Sequence, residues 1–260
     1  MSRTKKAARK GKRKAEDSAQ PPHDKENVTP EEQNERPTKK PRQSGPAQQR
    51  SISHDESIAK RDPALLADLL AQKVAKHYGD STTIEQGDIG ISKDWINDTT
   101  EFEPPHTADQ LSSFLEKYIE DGKKGLTSST SEGSPKVIII SPSGIRVADV
   151  NRELKDFNTK EVKVAKFIAK HEKLKASIEY LSKTKVGVAV STPGRFKDLL
   201  DNQALKVDNL ETIVLDASYL DEKKMSILDG LQVFKQLIDL LSHQQLKSRL
   251  EDDKTKLLVF

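Results

Sequence analysis

Apolar residues fall in short blocks along the second half of this chain and in helical stripes along the first. From Lys136 onward the runs Val137–Ile140, Val162–Phe167, 186–190, Thr212–Leu215 and 257–260 are rich in Val, Ile and Leu. Helical periods separate them over 145–157, 171–182, 195–202 and 230–249. Runs that are apolar at nearly every position belong to strands covered on both faces, and their alternation with helices predicts parallel βαβ units. Right-handed crossovers then give an open α/β sandwich whose functional loops follow the strands' carboxyl ends.

Upstream, Asp62-Pro63 offers a capping side chain and a proline at the first helical position. Leu65, Leu66, Leu69, Leu70, Val74 and Tyr78 form one face, and Gly79 supplies a stop. A loop with apolar anchors is expected over 80–105, where Gly87, Gly90, Pro104 and Pro105 interrupt Ile89, Ile91, Trp95, Ile96 and Phe102. A second helix is expected from Thr107, with Gln110 at the capping-box position and Leu111, Phe114, Leu115, Tyr118 and Ile119 as its stripe. It ends near Asp121-Gly122, and 123–135, without apolar periodicity, reads as an exposed linker.

Composition adds a division that the periodicity leaves open. The first 50 residues hold 14 Lys/Arg, 7 Asp/Glu and 6 of the 12 prolines, and no Phe, Tyr or Trp occurs before Tyr78. Such a segment has too little apolar surface to offset its ordering entropy, so 1–60 is expected to be a disordered basic tail and 61–260 the folded domain. The remaining 210 residues carry 30 basic and 34 acidic groups, so the overall +3 reflects the tail. Its two clusters, Lys5, Lys6, Arg9, Lys10, Lys12, Arg13 and Lys14, then Lys39, Lys40 and Arg42, have the character of nuclear import signals or nucleic-acid-seeking arms. Cysteine is absent, which leaves no thiolate metal site, and no second His stands at ligand spacing from His171. Without a membrane-length apolar run or a secretory signal, a soluble intracellular protein is expected.

Chemistry concentrates between Lys185 and Tyr219. Thr192-Pro193-Gly194-Arg195 follows a strand and opens a helix, so free backbone N–H groups face an incoming anion and Arg195 adds a fork of donors. Val214-Leu215-Asp216-Ala217-Ser218-Tyr219 follows some 20 residues later. This pair resembles the RNA-contacting Thr-Pro-Gly-Arg motif and the Asp-Glu-Ala-Asp strand in the first RecA-like domain of DEAD-box RNA helicases. By that resemblance, Pro142-Ser143-Gly144-Ile145-Arg146 takes the place of Pro-Thr-Arg with the arginine displaced, and 168–171 the place of a Gly-Gly loop. The implied RNA contacts are Arg146, Lys170, His171, Thr192, Gly194, Arg195 and Lys197, with Lys166 and Lys173 beside them. Hydrolytic machinery is missing: no G-x-x-x-x-G-K-[ST] loop occurs, Gly122-Lys123-Lys124-Gly125 has the wrong order, and Ala217 and Tyr219 leave Asp216 alone. Asp216 then has a structural role in view, bonded to loop amides, and no metal or catalytic one. The chain also ends where a second RecA-like domain would follow.

The 62–68 helix start, Phe167-Ile168-Ala169-Lys170-His171 and the 214–221 stretch together resemble the Cms-type helicase-like proteins, subunits of the U3-containing 90S pre-ribosomal complex. The resemblance implies a non-enzymatic nucleolar factor in small-subunit ribosome biogenesis. It would lack a cofactor and act as a monomer within a large ribonucleoprotein, with pre-rRNA or snoRNA and assembly proteins as partners. A degenerate nucleotide-binding enzyme holding an anion at the Gly194 turn, and a scaffold that touches protein alone, remain the alternatives.

Overall fold

The computed structural model describes residues 53–129 and 131–260, so the two basic clusters of the tail lie outside the described residues. In chain order the elements are β1 (Ser53–His54), α1 (Glu56–Ala59), α2 (Pro63–His77), α3 (Thr83–Asp88), α4 (Leu111–Tyr118), α5 (Gly122–Leu126), β2 (Val137–Ile140), α6 (Gly144–Glu153), β3 (Val162–Phe167), α7 (Leu174–Leu181), β4 (Lys185–Ser191), α8 (Pro193–Asp201), β5 (Thr212–Leu215), β6 (Tyr219–Leu220), α9 (Leu231–Leu241), α10 (Gln244–Glu251) and β7 (Lys256–Val259). Five strands form one parallel sheet in the order β3-β4-β2-β5-β7, as the alternation of runs and stripes predicts. No helix among the described residues is long and apolar enough to cross a membrane.

Side chains alternate across the pleat, so each strand feeds two cores. Ile138, Ile140, Ala165, Phe167, Ile213 and Leu215 join α2, α8, α9 and α10 on one face. Val137, Ile139, Val188, Val190 and Val214 join α4 and α6 on the other. α2 begins as its sequence dictates: Asp62 Oδ1 accepts from the Ala64 and Leu65 amides at 2.9 and 3.0 Å, with Pro63 at the first position.

Four expectations need correction. The 230–249 stripe is two helices, broken at Ser242-His243. An unbroken helix would set Gln244, Gln245 and Ser248 on the face of Phe234, Leu237, Ile238 and Leu241; the break rephases the chain so that Leu246 and Leu250 are buried instead. Thr107 gives no cap. Its hydroxyl bonds Asp109, a 3-10 turn occupies Ala108–Gln110, and α4 starts at Leu111. The 123–135 stretch is no exposed linker either, because α5 buries Gly125 and Leu126, and residues 133–135 are buried as well. Gly187 of β4 makes room for this crossing, since a Cβ there would sit 2.2 Å from the Leu126 carbonyl oxygen. Finally, the 80–105 arm contains α3, held by a reciprocal capping box between Thr82 and Glu85. Its anchors behave as read: Ile91, Ile96 and Phe102 are buried, and Trp95 packs on the core. Ile96 bridges Leu257 and the Asn97 amide donates to the Leu257 carbonyl at 2.9 Å, which lays the arm along the outer side of β7.

Candidate nucleic-acid interface at the carboxyl edge of the sheet

The loops after β2, β3, β4 and β5 meet at one end of the sheet, and a buried ion pair ties two of them. Ser143 Oγ accepts from the Arg146 amide at 3.3 Å and starts α6, which turns the Arg146 side chain inward. Arg146 Nε donates to Asp216 Oδ2 at 2.7 Å, Nη2 donates to Oδ1 at 2.9 Å, and the Ser141 hydroxyl donates to Oδ2 at 3.0 Å. Both charged side chains have no exposed surface. Burial disfavours the guanidinium charge, but the Asp216 carboxylate more than offsets this and raises its pKa above the ordinary arginine value. The Tyr219 ring lies 4.9 Å from the guanidinium carbon and closes the pair from above.

Arg146 therefore does not present the RNA contact that the motif resemblance implies, because its side chain is fully buried with Nε and Nη2 on Asp216. Asp216 has the structural role expected of it with different partners, a guanidinium and a hydroxyl in place of loop amides. The chain beyond it is also fixed. The Ala217 and Ser218 amides donate to the Phe260 carbonyl, and β6 pairs antiparallel with β1, with His54 opposite Tyr219. Sequence reading did not find β1, since two residues ahead of the first helix carry no periodic signal.

Thr192-Pro193-Gly194-Arg195 does form a strand-to-helix turn. Thr192 is the N-cap residue of α8 without a side-chain capping bond, and Pro193 stands at the helix start. Gly194 packs closely on α9, where a Cβ would meet the end of the Gln236 side chain at 3.2 Å and push it aside by a few tenths of an ångström. Arg195 is only 5% exposed. Its Nη2 donates to the Glu172 carbonyl at 2.7 Å, while Nε and Nη1 are buried without a hydrogen-bond partner among the described residues.

That single bond gathers the predicted residues of two loops. The His171 and Glu172 amides both return to the Ile168 carbonyl, at 2.9 and 3.0 Å, forming a tight turn whose Glu172 carbonyl sits on Arg195. Lys170 and His171 project from this turn into solvent, and Lys166 and Lys173 flank it, also exposed. Lys197 is not part of the group: it pairs with Asp201 one helical turn along α8 at 2.7 Å, and this bond raises its pKa. Among the described residues no group of three or more His, Asp or Glu is placed to hold a metal ion.

A family model described as the U3-containing 90S pre-ribosomal complex subunit matches residues 2–260. Protein CMS1 of Chaetomium thermophilum is 39% identical over 200 residues, which is 77% of this chain and 80% of that protein. Protein cms1 of Schizosaccharomyces pombe is 31% identical over 77% of this chain and 70% of its own length. Protein CMSS1 of Homo sapiens is 28% identical over 69% of this chain and 62% of its own. On the extent of these matches, the chain belongs to the CMS1 family of U3-containing 90S pre-ribosomal complex subunits.

Proposed function

We propose that the protein acts in ribosome biogenesis as a non-catalytic, helicase-derived module that binds RNA at the carboxyl edge of its sheet. In this reading Thr192, the first free amides of α8, Lys170 and His171 meet phosphate. Arg195 supplies positive charge beneath them and holds the 168–172 turn in place. The observation that carries the reading is Arg195 itself, a buried guanidinium with no acidic partner among the described residues and two unspent donors beside an exposed basic turn. An unneutralised buried cation is expensive unless an anion completes it. The state of Asp216 supports the absence of catalysis, since its carboxylate is sealed from solvent and bonded to Arg146 and Ser141. The 51–260 region has more acids than bases, which confines RNA to this edge and to the tail. The tail's basic clusters provide delivery to the nucleus and nucleolus and a sequence-blind attraction to RNA.

Fluorescence anisotropy of the full chain with single-stranded RNA tests the assignment. Arg195→Ala, which removes the charge beneath the site and the charged hydrogen bond that anchors the 168–172 turn, is expected to weaken binding by about 1–3 kcal/mol at low salt. Deleting residues 3–14 is expected to reduce the salt dependence of binding through lost counterion release. An unchanged affinity for the first variant removes the edge from the RNA interface, and an unchanged salt slope for the second removes the tail.

A further inference from the structure

The two outer strands of the parallel sheet are treated differently. β7 is covered by the 92–97 arm. β3 is covered only in its first half, by its own preceding turn: the Val162 amide donates to Thr159 Oγ1 at 2.9 Å and the Val164 amide to Asn158 Oδ1 at 3.0 Å. Main-chain groups face outward at every second residue of a strand, so Lys166 is the next to present its amide outward. Neither a strand nor a capping side chain stands beside it among the described residues.

Two cavities run along this open half. One of about 250 Å³ lies against residues 164–167 between Asn151 and Tyr180. The other, about 620 Å³, continues past the strand end between Ile145 and His171. Lys166 and Glu172 line both, so they form one groove. Large apolar side chains that a solvated surface would not require stand on either side, Ile145 at 53% and Tyr180 at 39% exposure.

We propose that this groove takes an extended segment of a partner protein, alternating apolar and acidic side chains, as a strand added to β3. Main-chain pairing gives such strand addition its affinity, and the flanking pockets select alternate side chains. The charge is set by exposed Lys166, Lys170, His171 and Lys173. Of the acids in the groove, Asp149 is already paired with Arg152 at 3.1 Å, which leaves Glu172. The chain's own tail does not fit, because residues 1–52 contain no Leu, Phe, Tyr or Trp and only Val28 and Ile52 as branched aliphatics of high strand propensity. A second copy does not fit either, since β3 laid against β3 would oppose lysines with lysines. This surface shares Lys170 and His171 with the RNA reading but rests on main-chain pairing at β3, which that reading does not use.

The test uses the full chain and a fluorescein-labelled peptide of about ten residues alternating Val or Ile with Asp or Glu, long enough for an ordinary strand. Peptide binding is expected to slow hydrogen exchange at the Lys166 amide. Lys166→Pro deletes the outward amide at a strand position where proline is tolerated, and is expected to weaken binding about tenfold or more. Ile145→Asp, a surface change that leaves the strand intact, is expected to do the same and decides the matter should the proline variant melt early. A charge-reversed peptide bearing Lys should bind more weakly than the acidic one. Unaltered Lys166 exchange under saturating peptide overturns the proposal, as does an oligouridine RNA that protects Lys166 and displaces the peptide. Thr192→Ala, which leaves the 168–172 turn anchored and lies outside the groove lining, should bind the same peptide normally while RNA binding weakens, which separates this proposal from the RNA reading.

Discussion

Asp216→Ala is expected to destabilise the protein by about 3–5 kcal/mol, because it strands the Arg146 guanidinium in a site with no solvent. Small domains are stable by only about 5–15 kcal/mol, so this one change removes a large share of the total. Arg146→Ala should cost a similar amount for the converse reason, leaving a carboxylate with the Ser141 hydroxyl as its one remaining donor. Replacing both with apolar side chains of similar volume, Arg146→Met with Asp216→Leu, should recover most of the loss, since a buried pair repays little more than its own desolvation. Urea unfolding of the three variants checks the sequence. A single-variant loss below about 1 kcal/mol would be the value of an exposed pair and is incompatible with a sealed one.

Acid sensitivity is the second large effect, and it comes from His106. The imidazole is fully buried, both ring nitrogens lack a partner among the described residues, and Phe102, Phe114 and Phe260 surround it with ring centroids 5.4, 6.1 and 5.1 Å away. Burial lowers its pKa from 6.5 to about 4; Glu56 opposes the shift, while the Lys60 and His54 charges add to it. Between those two pH values the unfolded chain takes up a proton that the folded chain refuses, so stability is complete above about pH 6.5 and declines as the pH falls towards 4. The slope approaches 1.4 kcal/mol per pH unit, or roughly 3 kcal/mol over the window. His54, also shifted downward by burial and then by Arg146, acts in the same direction. Carboxylates with depressed values, such as Asp229, lose their contribution below about pH 5, so a measurement at pH 5.0 precedes most of that loss. Unfolding free energies at pH 7.5 and 5.0 should differ clearly for the natural chain and much less for His106→Leu. Equal slopes would mean that His106 is not held neutral.

Strands were the most legible part of this chain, for a physical reason. Residues such as Val137, Ile138, Ile139 and Ile140 lie between two helical layers, so every position is apolar and the run announces itself. The Asp62-Pro63 helix start was equally legible because capping is a local transaction. What was missed depends on partners far away in the chain. Arg146 follows a proline-containing turn and reads as a free cation, and only its approach to Asp216, 70 residues on, withdraws it from solvent. The 123–135 stretch reads as a linker because the feature that admits it, the bare backbone of Gly187, lies on another element. The Thr82–Glu85 capping box was readable, yet Gly87 and Gly90 argued against a helix there. In the site, the Thr-Pro-Gly-Arg motif gave the right turn and helix but not the inward lean of Arg195 onto the Glu172 carbonyl, which a neighbouring loop imposes.

The arm laid over β7 limits what copies of the protein can build at high concentration. Polymerisation through main-chain pairing needs two competent faces per subunit, one to receive and one to offer, so that growth can continue. With Ile96 and Asn97 occupying one of them, any chain that does capture another becomes a terminus: the product is a capped pair, and a fibril cannot propagate by this route.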